Sequence, residues 1–142
     1  MLATFKIKLA TDKNQYNSLL VTMKQFNQAC NYISQIAFEM KTYSKFKLQK
    51  ACYYETREQF GLSAQMVVRA IGKVSESYKA DKKTLHTFKD TGAMVYDERI
   101  LSFKDLEYAY LLTLDYNRAN PPSLLLGGYR PKAQNLRRCG TL

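Results

Sequence analysis

Along the first ten residues, apolar and polar positions alternate. Phe5, Ile7 and Leu9 point one way and Lys6 and Lys8 the other, which predicts a half-buried strand over Thr4 to Ala10. The period then changes. Asp12 with Gln15 three residues on is a capping-box pattern. Tyr16, Leu20, Met23, Phe26, Cys30, Ile33 and Ala37 follow at steps of three and four, so one helix is expected to about Met40. "KTYSKFK" breaks the pattern, Lys47 to Phe60 resumes it, and Gly61 suits the left-handed residue that ends a helix. Ser63 caps a third helix with the buried stripe Met66, Val67, Ala70, Ile71, Val74 and Tyr78. Its opposite face carries Gln65, Arg69, Gly72, Lys73 and Glu76.

After Lys83 the pattern shortens. Phe88, "MVY", "RILSF" and "YAYLLTL" read as strands separated by the turn-like "KDTG" and "KDLE", with a helix as the other reading of "YAYLLTL". From Asp115 the chain is irregular, with adjacent prolines, a Gly-Gly pair and a basic end. The order strand, three helices, strands predicts an α+β chain. An economical architecture places residues 1–10 and 87–142 in one split β-domain, with residues 11–86 inserted as a helical lobe.

Composition sharpens this picture. The 142 residues carry 22 Lys+Arg against 12 Asp+Glu, a net charge of +10. That balance favours a nucleic-acid partner, though basic membrane-surface proteins and proteins with acidic partners share it. No run of 18 apolar residues occurs, so neither a membrane span nor a membrane partner is expected. Cys30, Cys52 and Cys139 lie far apart and His86 is the sole histidine, which fits no zinc ribbon and no recognisable nucleophile motif. Cys30 and Cys52 sit in apolar stripes and are expected as reduced core residues of a cytoplasmic protein. Asp97 and Glu98 are adjacent and, on a strand, would face opposite ways. No catalysis, cofactor or small-molecule substrate is expected from this chemistry.

The candidate contacts lie between positions 65 and 83. Arg69, Lys73, Lys79, Lys82 and Lys83 outnumber Glu76 and Asp81 there, and Gly72 allows close approach of a backbone or base. Gln65 offers a donor and an acceptor together, as adenine requires. A solvated helix face accounts for the same charges.

Three blocks, "FNQACNYISQIAFE" (26–39), "YYETREQFGLSAQMVVRAIGKVSESYKADKK" (53–83) and "YDERILSF" (96–103), resemble in order the N-terminal part of TnpB/OrfB, the transposon-encoded RNA-guided endonucleases related to type V CRISPR effectors. The resemblance spans about residues 3–114. It implies a wedge-like, OB-like β-barrel, here incomplete, interrupted by a three-helix recognition lobe. It also implies a guide RNA and target DNA as partners. Gln65 and Arg69 then become candidate readers of a short flanking motif, supported by Asp97 and Arg99 from the β-domain, with Lys73, Lys79, Lys82 and Lys83 beside them. The family's RuvC-like nuclease and zinc ribbon lie beyond the matched region, so this chain is expected to bind without cutting. A truncated or frameshifted transposon remnant and a small basic adaptor for an acidic protein are the competing expectations.

Overall fold

The computed structural model describes residue 4 and residues 8–103, 108–114 and 123–127. Phe5 and Ile7 of the expected first strand, the "KDLE" turn, most of the irregular segment after Asp115 and Cys139 lie outside the described residues.

The protein is α+β. Its described elements run β1 (Lys8–Ala10), α1 (Lys13–Glu39), α2 (Lys45–Phe60), α3 (Ala64–Ala80), β2 (Leu101–Phe103), β3 (Tyr108–Leu111) and β4 (Ser123–Gly127). Helix α1 starts where the capping box places it. The Asp12 carboxylate accepts the Gln15 amide at 2.8 Å, and the Gln15 side chain accepts the Asp12 amide at 3.0 Å. Helix α2 begins two residues earlier than the apolar pattern indicates and ends at Gly61, whose φ of 61° a residue with a Cβ rarely adopts. Helix α3 is capped by Ser63, which accepts the Met66 amide.

The three helices pack on one another, and their shared core holds the positions that the 3.6-residue period selects. On α3, Met66, Val67, Ala70, Ile71, Val74 and Tyr78 are all buried. On α1 the buried stripe begins at Thr22 and runs through Phe26, Cys30, Ile33 and Ala37. Each large aliphatic side chain fully removed from water contributes roughly 1.5–3 kcal/mol. Tyr16, read as part of the same stripe, is 58% exposed. The first turns of α1 line a cleft with Leu114 instead, and the Leu114 amide donates to Thr22 Oγ1 at 3.1 Å. Cys30 and Cys52 are buried free thiols. Burial pushes the Cys30 thiol up to about 12, with the nearby Lys73 charge acting weakly the other way.

The strands form one antiparallel sheet in the order β1-β4-β3-β2. Leu9 pairs with Leu126, Ala109 with Leu124, and Ser102 with Tyr110. The chain before the helices therefore joins the chain after them in a single sheet. It is open among the described residues, with β1 and β2 at its edges. No described helix is long and apolar enough to cross a membrane.

Phe88 and Met94–Tyr96 depart from the strand expectation. Residues 81–100 form a strap without regular structure between α3 and β2. Several backbone groups of this strap bond to α1 side chains rather than to a neighbouring strand. Asn31 receives the Phe88 amide at 2.6 Å and donates to the Phe88 carbonyl at 2.9 Å. Ser34 donates to the His86 carbonyl at 2.6 Å. Asn27 donates to the Gly92 carbonyl at 2.9 Å and the Asp90 carbonyl at 3.3 Å. Asn27, Asn31 and Ser34 stand at i, i+4 and i+7, one polar edge of α1. Gly92 has to be small here, because a Cβ would lie 3.0 Å from the Lys89 carbonyl and 3.2 Å from Asn27 Oδ1. Phe88, Met94, Tyr96 and Ile100 cover the helical core, so the strap closes the lobe.

Candidate nucleic-acid interface

The outward face of α3 is built in three zones. At its N-terminal end, Gln65 and Arg69 stand one turn apart and meet the turn that precedes β2. Asp97 heads that turn. Its main-chain carbonyl accepts the Ile100 amide at 3.0 Å and the Leu101 amide at 2.8 Å, and its Oδ1 accepts the Arg99 amide at 3.1 Å. Its Oδ2 accepts Arg69 Nε at 2.6 Å, with Arg69 Nη2 and Gln65 Nε2 in close contact on the same oxygen. Arg99 Nη1 closes the ring by donating to Gln65 Oε1 at 3.2 Å. Residues 28 to 34 positions apart in the chain thus form one hydrogen-bonded cluster.

The Asp97 side chain is only 8% exposed. Desolvation alone would raise its pKa. Hydrogen bonds from Arg69, the Arg99 amide and Gln65, with the Arg69 charge, outweigh that effect and hold the carboxyl below its usual range. Asp97 and Glu98 stand at the turn before β2 and not on a strand. Asp97 is committed to the cluster and Glu98 lies exposed in the turn.

Lys73 forms the middle zone and faces inward. Its Nζ donates to Asn27 Oδ1 at 2.8 Å and to the Ala93 carbonyl at 2.6 Å, and lies 5.0 Å from the Phe88 ring centre. This ammonium pins the strap to α1, and two of its three protons are already committed.

At the C-terminal end the cations stand out into solvent. Asp81 ends the helix by accepting the Lys83 amide at 2.8 Å and the Thr84 hydroxyl at 2.5 Å. These bonds, Thr84's first, hold its carboxyl below the ordinary value. Lys82 and Lys83 therefore project from a fixed turn and not from a frayed helix end. The Tyr43 hydroxyl donates to the Lys82 carbonyl at 3.3 Å, and Lys82 Nζ lies 5.9 Å from the Tyr43 ring centre. Lys79 pairs with Glu76 at 2.7 Å, both 70% exposed, an ion pair of little energetic weight.

A groove of about 1140 Å³ runs along these zones, lined by Lys45, Arg69, Lys73, Lys79 and Lys82 and by the rings of Tyr43, Tyr78 and Phe88. Gly72 forms part of its floor, open except for the Lys45 side chain 3.8 Å from where a Cβ would stand. Among the described residues neither Lys45 nor Lys82 has an ion-pair partner. Lys45 went unnoticed in the sequence. The available signal was the first turn of α2, which carries lysines and no acidic residue against the positive end of its helix dipole.

The structure thus brings Gln65, Arg69, Asp97 and Arg99 together, sets Lys79 and Lys82 along the adjoining groove, leaves Lys83 exposed beyond it, and turns Lys73 inward. No family model, curated relative or solved structure matches the chain.

Proposed function

We propose that this chain is a nucleic-acid-binding module of the TnpB/OrfB kind, holding a guide RNA and its target DNA along the outward face of α3. One observation carries the reading. The hydrogen-bonded cluster of Gln65, Arg69, Asp97 and Arg99 opens through Arg69 onto a groove lined by Lys45, Lys73, Lys79 and Lys82, where Glu76, paired with Lys79, is the one acidic lining residue. A fixed polar cluster beside a row of cations is the division of labour that nucleic-acid recognition uses, bases read by the first and phosphates held by the second. In this reading the antiparallel sheet belongs to a wedge-like, OB-like barrel into which the helical lobe is inserted. The residues present grip without cutting, in the cytoplasm, where guide and target are found.

Filter binding of structured RNA and of duplex DNA across a salt series tests the proposal. Affinity should fall linearly on a log–log scale with salt, by about 0.9 decades per decade for each duplex phosphate neutralised. Lys45→Glu with Lys82→Glu should weaken binding at least tenfold (an order-of-magnitude expectation) at low salt. Binding absent at low salt, or indifferent to salt and to the double reversal, contradicts it.

A further inference from the structure

The surface of α2 turned away from the core is unlike a solvated helix face. Only Leu48, Cys52 and Thr56, one line along the helix, are buried on α2, against six residues on α3. Opposite that line, at helical spacing, stand Phe46, Lys50, Tyr54 and Arg57. Phe46 is 66% exposed and Tyr54 80%. Their contacts are confined to α2 itself. Lys50 Nζ lies 4.7 Å from the Phe46 ring centre, and the Tyr54 ring centre lies 5.1 Å from that of Tyr53. Aromatic rings left in water along one helix face and rimmed by charge mark a contact surface.

The rim charges complement themselves. Lys47 and Glu58 are eleven residues apart, close to three full turns, so both stand on one flank of the aromatic line. Both are exposed, and among the described residues neither has an ion-pair partner. At roughly 16 Å along the helix they are too far apart to pair within one chain. Glu55, the other acidic residue of α2, lies against Tyr32 instead. When two identical helices pack antiparallel about a two-fold axis, each flank meets its own copy running the other way. Lys47 then faces Glu58 of the second copy, and Glu58 faces the copy's Lys47. The same register sets Phe46 beside the copy's Arg57 and Lys50 beside the copy's Tyr54, both cation–aromatic pairs. All three pairings centre on the level of Cys52, so one axis serves them all.

We propose that the outer face of α2 is a self-association surface, on which a second copy of this chain packs antiparallel through Phe46 and Tyr54 with reciprocal Lys47–Glu58 ion pairs at the rim. It does not depend on the nucleic-acid-binding reading above. A patch of this size supports a weak, reversible dimer.

Sedimentation velocity of the full chain, freed of nucleic acid, from about 5 to about 500 μM tests the proposal. Salt of about 0.15 M limits the repulsion between two chains of net charge +10. The wild type should sediment as a monomer at the lowest concentration and shift towards dimer as concentration rises. Phe46→Ser with Tyr54→Ser, both at exposed positions, should raise the dissociation constant about tenfold with circular dichroism unchanged. Lys47→Glu alone and Glu58→Lys alone each set like charges across the axis and should weaken association about threefold. Mixed in equal amounts, these two single variants present opposite charges at both ends and should recover the wild-type dimer. The double exchange Lys47→Glu/Glu58→Lys in one chain should recover it too. A monomer at every concentration, or association unchanged by the Phe46 and Tyr54 substitutions, overturns the proposal. Association that requires added nucleic acid overturns it as well, and so do single charge variants that mixing fails to rescue.

Discussion

The two ends of α3 present similar chemistry to solvent and hold it differently. At the N-terminal end, Gln65 and Arg69 are tied into Asp97 and Arg99, and Lys73 just beyond is drawn inward onto Asn27 and the Ala93 carbonyl. At the C-terminal end, Lys79, Lys82 and Lys83 stand in water, attached only through Glu76, Tyr43 and the Asp81 turn. Counting charges cannot tell these ends apart. The difference lies in what each side chain gives up to the fold. A fixed group discriminates between ligands because a wrong ligand leaves it unpaired. A mobile lysine discriminates little but neutralises phosphate wherever the backbone runs.

The largest expected effect falls on the inward part of that face. Asn27→Ala removes the acceptor for Lys73 and an amide NH2 whose two protons are shared among the Met23, Asp90 and Gly92 carbonyls, at a fully buried position. Thermal and denaturant unfolding should show a loss of roughly 3 kcal/mol. A loss below about 0.5 kcal/mol, the range of an ordinary exposed substitution, would mean that the strap is not anchored through Lys73.

A smaller effect separates the tied end by its response to acid. The folded-state pKa of Asp97 lies below its unfolded value of about 3.9, so its contribution is complete above that value. The contribution is lost as pH falls past about 4 and through the lowered folded pKa. Against wild type, Asp97→Asn should be less stable by roughly 2 kcal/mol at pH 7. The two should converge in melts taken towards pH 2. A gap that stays constant across this range would show that the charge of the carboxylate is not what holds the cluster.

Much of the helical lobe was legible in sequence because its signals are local. The capping box at Asp12, the left-handed Gly61 and the α3 stripe each involve residues within a few positions of one another, and all three stand in the structure. What escaped depends on pairings distant in sequence. Phe88 and Met94–Tyr96 have strand composition, yet the strap bonds to Asn27, Asn31 and Ser34, side chains 52 to 65 positions away. Lys73 stands four residues after Arg69 with the spacing of a shared outer face, and the tertiary positions of Asn27 and the Ala93 carbonyl draw it in. At the candidate site, residue chemistry alone marked Gln65 and Arg69 as weak signals, and nothing local connected them to Asp97 and Arg99. Their hydrogen bonds join positions 32 and 34 apart in the chain, a separation that no local pattern reports.

The most direct test of the central claim is an amide correlation spectrum of the isotope-labelled 16.4 kDa chain, titrated with a short DNA duplex at low salt. The account predicts that perturbed signals cluster on Gln65, Arg69, Gly72, Lys79, Lys82, Lys83 and Arg99, and that those of the buried α3 stripe move little. Perturbations centred on the outer face of α2 or on the sheet, or none at all with duplex in excess, would contradict it.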